Sequence, residues 1–311
     1  MDLKSKIILI SGPTASGKSN FAVSLAKKIN GEIINADSMQ VYKELSILTA
    51  RPKQKDYQKI RHHLYGFLNV AKNFSTGQWL KLCQKKIKEI QSRNKIPILV
   101  GGTGLYFKAL TDGLVKIPNI PLKVRNKIRN LHKKLGQKKF YSKLLKLDPY
   151  IKGKIIETDA QRSIRAYEVK YHTKKSLYDW FKNTKSKFQD DVFFKIYIDY
   201  PRPKLIERIA SRSEQMLKDG AINEVKRFLK LKIKKDNSSN KVIGIAEIKE
   251  HLEKKLDLKD VIEKITIKTR QYAKRQSTWA RGQMSSWNKI NSKDLKKFLK
   301  KSNLNTLKLD L

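Results

Sequence analysis

An α/β fold, with a parallel-sheet core interrupted by an all-helical insertion, is predicted from three observations. Strand-length runs recur at 7–10, 32–36, 96–100 and 192–198, with helix-period patterns between them. The first run opens into a glycine-bounded loop, Gly12-Pro13-Thr14-Ala15-Ser16-Gly17-Lys18-Ser19. From about 111 to 191 the strand signals lapse and strongly basic helical patterns take over. Strands that alternate with helices pair in parallel. The core is therefore expected over 1–115 and 192–290, the helical insertion over 116–191, and a peripheral, fraying tail over 291–311.

The loop has the form of a phosphate-binding loop (P-loop), which makes the core NTPase-like. Small residues let successive backbone N–H groups turn inward around phosphate oxygens, Lys18 adds a point charge, and the Ser19 hydroxyl is placed to hold a magnesium ion. Phe21, Ala22, Leu25 and Ala26 then fall at helical spacing over 20–28, so the loop sits on a helix N-terminus with its partial positive charge. The plain alternative is a tight turn without a ligand. Four near-fixed identities between a strand and a helix argue against it.

The 311 residues carry 70 Lys plus Arg against 28 Asp plus Glu, a formal charge of +42 that attracts polyanions. Abundant Ile and Asn point to a genome-wide compositional bias as well, so the placement of the cations says more than their number. A single cysteine, Cys83, excludes an internal disulfide and a four-cysteine metal site, and the chain reads as cytoplasmic. The apolar run at 7–10 is too short for a signal peptide, and no segment approaches a membrane span.

Along the chain, Asp37 follows the second strand. Ligands of open α/β sheets bind at the carboxyl ends of strands, so this carboxylate belongs on the rim of the P-loop, either as a proton acceptor or metal support or as a turn or N-cap residue. His62 and His63 lack partners at ligand spacing and read as structural. Trp79, Leu82, Cys83, Ile87 and Ile90 describe an amphipathic helix over 75–91. The third strand ends in Gly101-Gly102-Thr103, where many P-loop ATPases place a magnesium-supporting carboxylate; Thr103 offers a hydroxyl at the rim, or simply a strand-to-helix turn.

Within the insertion, Val124, Ile128, Leu131 and Leu135 form one apolar stripe on a helix otherwise rich in Lys and Arg. Asp159 is the expected N-cap of a helix over 160–172 that brings Gln161, Arg162 and Arg165 together, a phosphate- and base-contacting set or a solvated face. After the fourth strand, a helix with Leu205, Ile209, Met216 and Leu217 ends near Gly220, with Arg212 as a second cation for phosphate. The stretch 234–240 is expected to be a flexible loop. In 269–281, Arg270, Lys274, Arg275 and Arg281 interleave with Tyr272 and Trp279, which suits phosphate contact with base stacking, although Trp279 equally suits a core.

The set GPTASGKS (12–19), DSMQVY (37–42), TARP (49–52), GGTGLYFKAL (101–110), DAQRSIRAYEV (159–169) and TRQYAKRQSTWARG (269–282) resembles the tRNA dimethylallyltransferase, or tRNA isopentenyltransferase, family over most of the chain. The resemblance implies transfer of a dimethylallyl group from dimethylallyl diphosphate to the N6 amine of the adenosine 3′ of the anticodon. It implies a helical insertion that clasps the anticodon stem-loop. Asp37 matches the family's general base, Ser38, Met39 and Gln40 the segment around the extruded adenine, and Thr103 the reaction-site threonine. Gly12 to Ser19 and Arg212 match the diphosphate site. Arg125, Gln161, Arg162, Ser163, Ile164 and Arg165, together with Lys274, Arg275, Gln276, Trp279 and Arg281, match tRNA-contacting positions. The chain departs from the pattern at Leu48 and Arg51, for glycine and lysine, and at Ile245 and Ala246, where an aromatic and a basic residue are usual. A single protomer suffices to grip one hairpin. Competing classes are an adenylate isopentenyltransferase acting on free AMP, ADP or ATP, a P-loop small-molecule kinase, and a non-catalytic nucleic-acid binder.

Overall fold

Branched apolar residues that pack on both sides at once make the first run a central strand. In the computed structural model, which describes residues 6–182 and 184–302, β1 (Ile7–Ser11) is buried throughout, with Ile8 and Ile10 in one core layer and Ile7 and Leu9 in the other. β2 (Gly31–Asn35), β3 (His62–His63), β4 (Ile96–Gly101), β5 (Phe193–Asp199) and β6 (Asn288–Asn291) complete a six-stranded sheet of order β3-β2-β4-β1-β5-β6. Every pairing is parallel. The chain thus adopts an α/β, P-loop NTPase-like fold.

The helices are α1 (Lys18–Ile29), α2 (Thr76–Gln91), α3 (Gly104–Thr111), α4 (Leu122–Leu147), α5 (Ala160–Thr173), α6 (Leu177–Lys182), α7 (Arg202–Lys218), α8 (Ala221–Lys230), α9 (Ile245–Leu252), α10 (Leu258–Gln283) and α11 (Leu295–Lys301). α1 and α11 cover one face of the sheet, and α2, α3 and α10 the other. Trp79 of α2 stacks on Tyr106 at 4.2 Å and donates its indole N–H to Asn35 O, so one buried aromatic both fills the layer and ties down the end of β2. Residues around Val41–Leu48 form a further core with α7 to α10. Among the described residues no helix is long and apolar enough to cross a membrane.

Two compact units divide the chain, Met1–Thr111 with Phe188–Leu311, and Asp112–Lys187. The second holds α4, α5 and α6 around Ile128, Phe140, Leu144 and Tyr167. α4 bends at Gly136, whose φ of 71° breaks the helical run.

Two expectations need correction. The tail is not peripheral as far as residue 302, because β6 pairs with β5 and Phe298 of α11 is fully buried against Phe21; residues 303–311 lie outside the described residues. The stretch 234–240 is anchored rather than loose: Asn237 donates to Ala71 O and Ser239 to Val70 O, both from buried positions.

The histidine pair serves the fold. His62 stacks on Tyr57 at 3.8 Å, and His63 Nε2 lies 2.7 Å from Glu32 Oε2, which also accepts from Arg93 at 2.7 Å. Burial alone would raise the pKa of the Glu32 carboxyl, but the bonds from Arg93 and His63 outweigh it and hold the group below its ordinary value. A depressed carboxyl pKa contributes stability that is present above the unfolded value and is lost as pH falls through the folded one. Glu32→Gln is therefore expected to lower urea stability at pH 7, with the gap to wild type closing below about pH 4. A gap that does not change with pH would refute this.

Candidate active site

The turn from β1 to α1 needs residues that tolerate left-handed backbone, and it has them: Gly17 at φ 84° caps α1, and Ala15 sits at φ 65°. Ser16 N–H donates to Pro13 O, closing the loop on itself. The Ser16 hydroxyl is buried with no hydrogen-bond partner, a cost the fold sustains where a ligand oxygen can satisfy it. Lys18 Nζ reaches only the Pro13 carbonyl, at 3.1 Å, among the described residues. Burial lowers its pKa to about 8, opposed by Asp37 and assisted by Arg212.

That value gives a testable pH dependence. The Lys18 cation is largely present at pH 7 and is lost as pH rises through about 8. The affinity for inorganic pyrophosphate is expected to fall above pH 8, by up to about tenfold per unit, and Lys18→Ala should flatten the profile. Titration calorimetry from pH 7 to 9.5 reads it, and an unchanged wild-type affinity across that range would contradict it.

Asp37 and Thr103 follow β2 and β4, which are neighbours in the sheet, and β4 in turn pairs with β1. Asn35 shapes the Asp37 turn, accepting Asp37 N–H at 2.8 Å and donating to Asp37 O and Leu64 O. Asp37 Oδ1 accepts Met39 N–H at 2.9 Å, so the turn-forming role raised above is real and uses one carboxylate oxygen. Thr103 Oγ1 accepts Ser38 N–H at 2.9 Å and faces Ser38 Oγ at 3.3 Å. Gln40 turns away to donate to the Thr49 and Ala50 carbonyls and braces the following loop.

Cations from α7 complete the rim. Arg212 donates to Thr14 Oγ1 at 2.8 Å, and its pKa is lowered to about 10 by burial, against the pull of Asp37 and with a contribution from Arg208. Arg208 was not singled out from the sequence. It stands one turn before Arg212 and donates to Ala15 O at 2.9 Å, a spacing of four that could have flagged it. A cavity of about 240 Å³ opens between this rim and α10, with Gly12, Ser38 and Thr103 on the polar side and Leu105, Tyr197 and Trp279 on the apolar side. Trp279 is half-buried over Gly104, so it is wall and core together.

The other expected positions divide. In the helical unit, Gln161 and Arg162 are exposed, whereas Ser163 is fully buried beside Gln137 and cannot present its hydroxyl to a ligand. Ile164 packs against the core of this unit. Arg125 and Arg165, with the unanticipated Arg129, surround the buried Glu168 at 3.4 to 3.8 Å, which aligns three guanidiniums whose outer faces remain accessible. On α10, Lys274, Arg275 and Arg281 are exposed. Gln276 is not free: Thr14 N–H donates to its Oε1 at 2.8 Å and its Nε2 donates to Gly102 O at 3.0 Å. Ile245 is core, packed with Val242 and Ile265, while Ala246 is exposed.

No group of three or more His, Cys, Asp or Glu side chains is arranged to hold a metal among the described residues. The half-buried Ser19 hydroxyl, directly after the loop lysine, instead fits a cation whose other ligands are phosphate oxygens and water.

An open parallel sheet with a P-loop after β1, and with Asp37 and Thr103 at the ends of the neighbouring strands β2 and β4, defines a P-loop α/β protein. The IPP transferase family matches residues 40–283, and the chain belongs to that family. It is 63% identical over 310 residues to the tRNA dimethylallyltransferase of Pelagibacter ubique (strain HTCC1062), covering 100% of this chain and 99% of the relative. It is 45% identical to that of Rickettsia massiliae (strain Mtu5), covering 89% and 77%. Among solved structures, a eukaryotic dimethylallyltransferase described as acting on tRNA superposes with TM-score 0.81 and 31% identity, over 94% of this chain and 75% of the other. The tRNA isopentenylpyrophosphate transferase of Bacillus halodurans gives 0.68 and 29%, over 95% of each.

Proposed function

We propose that the chain transfers the dimethylallyl group of dimethylallyl diphosphate to the N6 amine of the adenosine 3′ of the anticodon in tRNA, with magnesium as cofactor. The observation that carries this reading is the placement of Asp37 and Thr103 on the strand ends beside the P-loop, with Asp37 in electrostatic reach of Lys18 and Arg212.

The exocyclic amine is a weak nucleophile because its lone pair is delocalised into the ring. As it attacks the allylic carbon, the new C–N bond forms, the C–O bond to diphosphate breaks with its electron pair leaving on oxygen, and Asp37 takes the N6 proton. Thr103 and Ser38 hold the neighbouring backbone, which keeps that carboxylate on the rim. Lys18, Arg212, the loop amides and the Ser16 hydroxyl hold the diphosphate and stabilise its growing charge. Magnesium at Ser19, when bound, adds Lewis-acid stabilisation of the leaving diphosphate. The apolar side of the cavity suits a branched five-carbon group.

The adenosine must leave the anticodon loop to reach this rim, at a cost of a few kcal/mol that phosphate contacts repay. Arg125, Arg129, Arg162 and Arg165 of the helical unit and Lys274, Arg275 and Arg281 of α10 supply those contacts. The enzyme acts as a single protomer in the cytoplasm, alongside its RNA.

Labelled dimethylallyl diphosphate offered with an anticodon stem-loop, or with AMP or ATP, tests the reading. Label is expected in the hairpin alone. Label on the free nucleotide would identify an adenylate isopentenyltransferase instead, and turnover of ATP on a small acceptor would identify a kinase.

A further inference from the structure

We propose that Gln276 is a positioning residue of the transfer reaction, holding the phosphate loop in register with the Thr103 and Asp37 side of the site; the proposal rests on the prenyl-transfer reading above. The stretch of α10 around it is basic, and its sequence setting pointed to an RNA contact. Its geometry points elsewhere. Both ends of the carboxamide are occupied by backbone, Thr14 N–H on the oxygen at 2.8 Å and Gly102 O on the nitrogen at 3.0 Å.

These partners belong to different loops. Thr14 is the third residue of the phosphate loop, and its hydroxyl is held from the other side by Arg212 at 2.8 Å. Gly102 precedes Thr103, whose hydroxyl receives Ser38 N–H, and Ser38 follows Asp37. One amide therefore closes a continuous chain of bonds from the diphosphate loop through β4 to the β2 end that carries the carboxylate. The fit is close enough that a Cβ on Gly102 would collide with the Gln276 amide nitrogen.

The chemistry selects glutamine. The site needs an acceptor and a donor on one planar group at the reach of a two-methylene stem. Glutamate at neutral pH lacks the donor, asparagine is too short, and lysine or arginine has no acceptor. In-line transfer depends on the distance between the leaving diphosphate and the attacking amine, so a clamp between their two loops acts on catalysis without touching either substrate.

Three proteins, wild type, Gln276→Ala and Gln276→Glu, are compared for their affinity for inorganic pyrophosphate with magnesium, their affinity for the anticodon hairpin, and their transfer rate. Gln276→Ala is expected to weaken pyrophosphate binding and slow transfer by about tenfold or more, the loss of a bridging pair of hydrogen bonds, with hairpin affinity within about twofold of wild type. Gln276→Glu regains the donor only when protonated, so its rate relative to wild type should rise as pH falls from 8 to 6, while the ratio for Gln276→Ala stays level. Hairpin affinity lost by about fivefold or more with pyrophosphate binding unchanged would overturn the proposal and make Gln276 an RNA contact. Should the wild type transfer no label, the prenyl-transfer reading fails, and the two affinities still decide what Gln276 does.

Discussion

Asp37→Asn is expected to slow prenyl transfer by roughly 10²- to 10⁴-fold, the usual worth of a positioned general base, while hairpin affinity stays within a few-fold. The substitution isolates the proton transfer. Asparagine still offers an oxygen to Met39 N–H, so the turn that Asp37 now caps is retained and the loop keeps its shape. What disappears is the carboxylate proposed to take the N6 proton, together with the negative charge that Lys18 and Arg212 sense. Single-turnover rates with saturating hairpin read the effect. A variant that transfers at the wild-type rate would place the base elsewhere.

Gly101→Ala is expected to be the most damaging single-methyl addition in the core, costing about 3 kcal/mol and lowering Tm by roughly 5 °C. Gly101 ends β4, where its Cα lies against the Ala36 peptide at the end of β2, and an added Cβ would sit inside that carbonyl group. Backbone cannot rotate aside as a side chain can. β2 and β4 must separate at the point where Asp37 and Thr103 emerge, so stability and activity fall together. Gly282→Ala is the matched control, since it lies in α10 with nothing within 4 Å of the added carbon. That change should be neutral or stabilising by about 0.5–1 kcal/mol. Thermal unfolding of the two variants side by side checks both, and similar Tm values would contradict the contact at Gly101.

Much of the fold was legible because the strands that matter are buried on both faces. The runs at 7–10 and 96–100 are uninterrupted apolar residues and that at 192–198 is broken only by Lys195, and β1, β4 and β5 follow them closely. β6 was invisible: it reads Asn-Lys-Ile-Asn, and only Ile290 is buried, so no pattern separates it from a loop. β3 is two histidines long and exists because Glu32 and Tyr57 hold them.

The loop conformation was legible because fixed identities in a short stretch set it, and Asp37 and Thr103 stand directly after their strands, as the sequence places them. Burial and hydrogen-bond partners were not legible where a motif was taken as a block. Ser163 sits among Gln161, Arg162 and Arg165, yet it lies three residues before Ala166 and four before Tyr167, on the buried stripe of α5. Helical period places it in the core. Gln276 is similar: its neighbours Lys274 and Arg275 are exposed, but its partners, Thr14 and Gly102, are far away in sequence, and no local pattern discloses them.

An RNA adenosine delivered to the Asp37 rim is expected to receive the prenyl group on its exocyclic amine. The most direct measurement is nucleoside mass spectrometry of an anticodon stem-loop after incubation with enzyme, magnesium and dimethylallyl diphosphate. A dimethylallyl group on N6 of the adenosine 3′ of the anticodon, absent when that residue is guanosine, is the predicted result. Prenylation at another atom or another nucleotide, or an unmodified hairpin beside modified free AMP, would contradict the account.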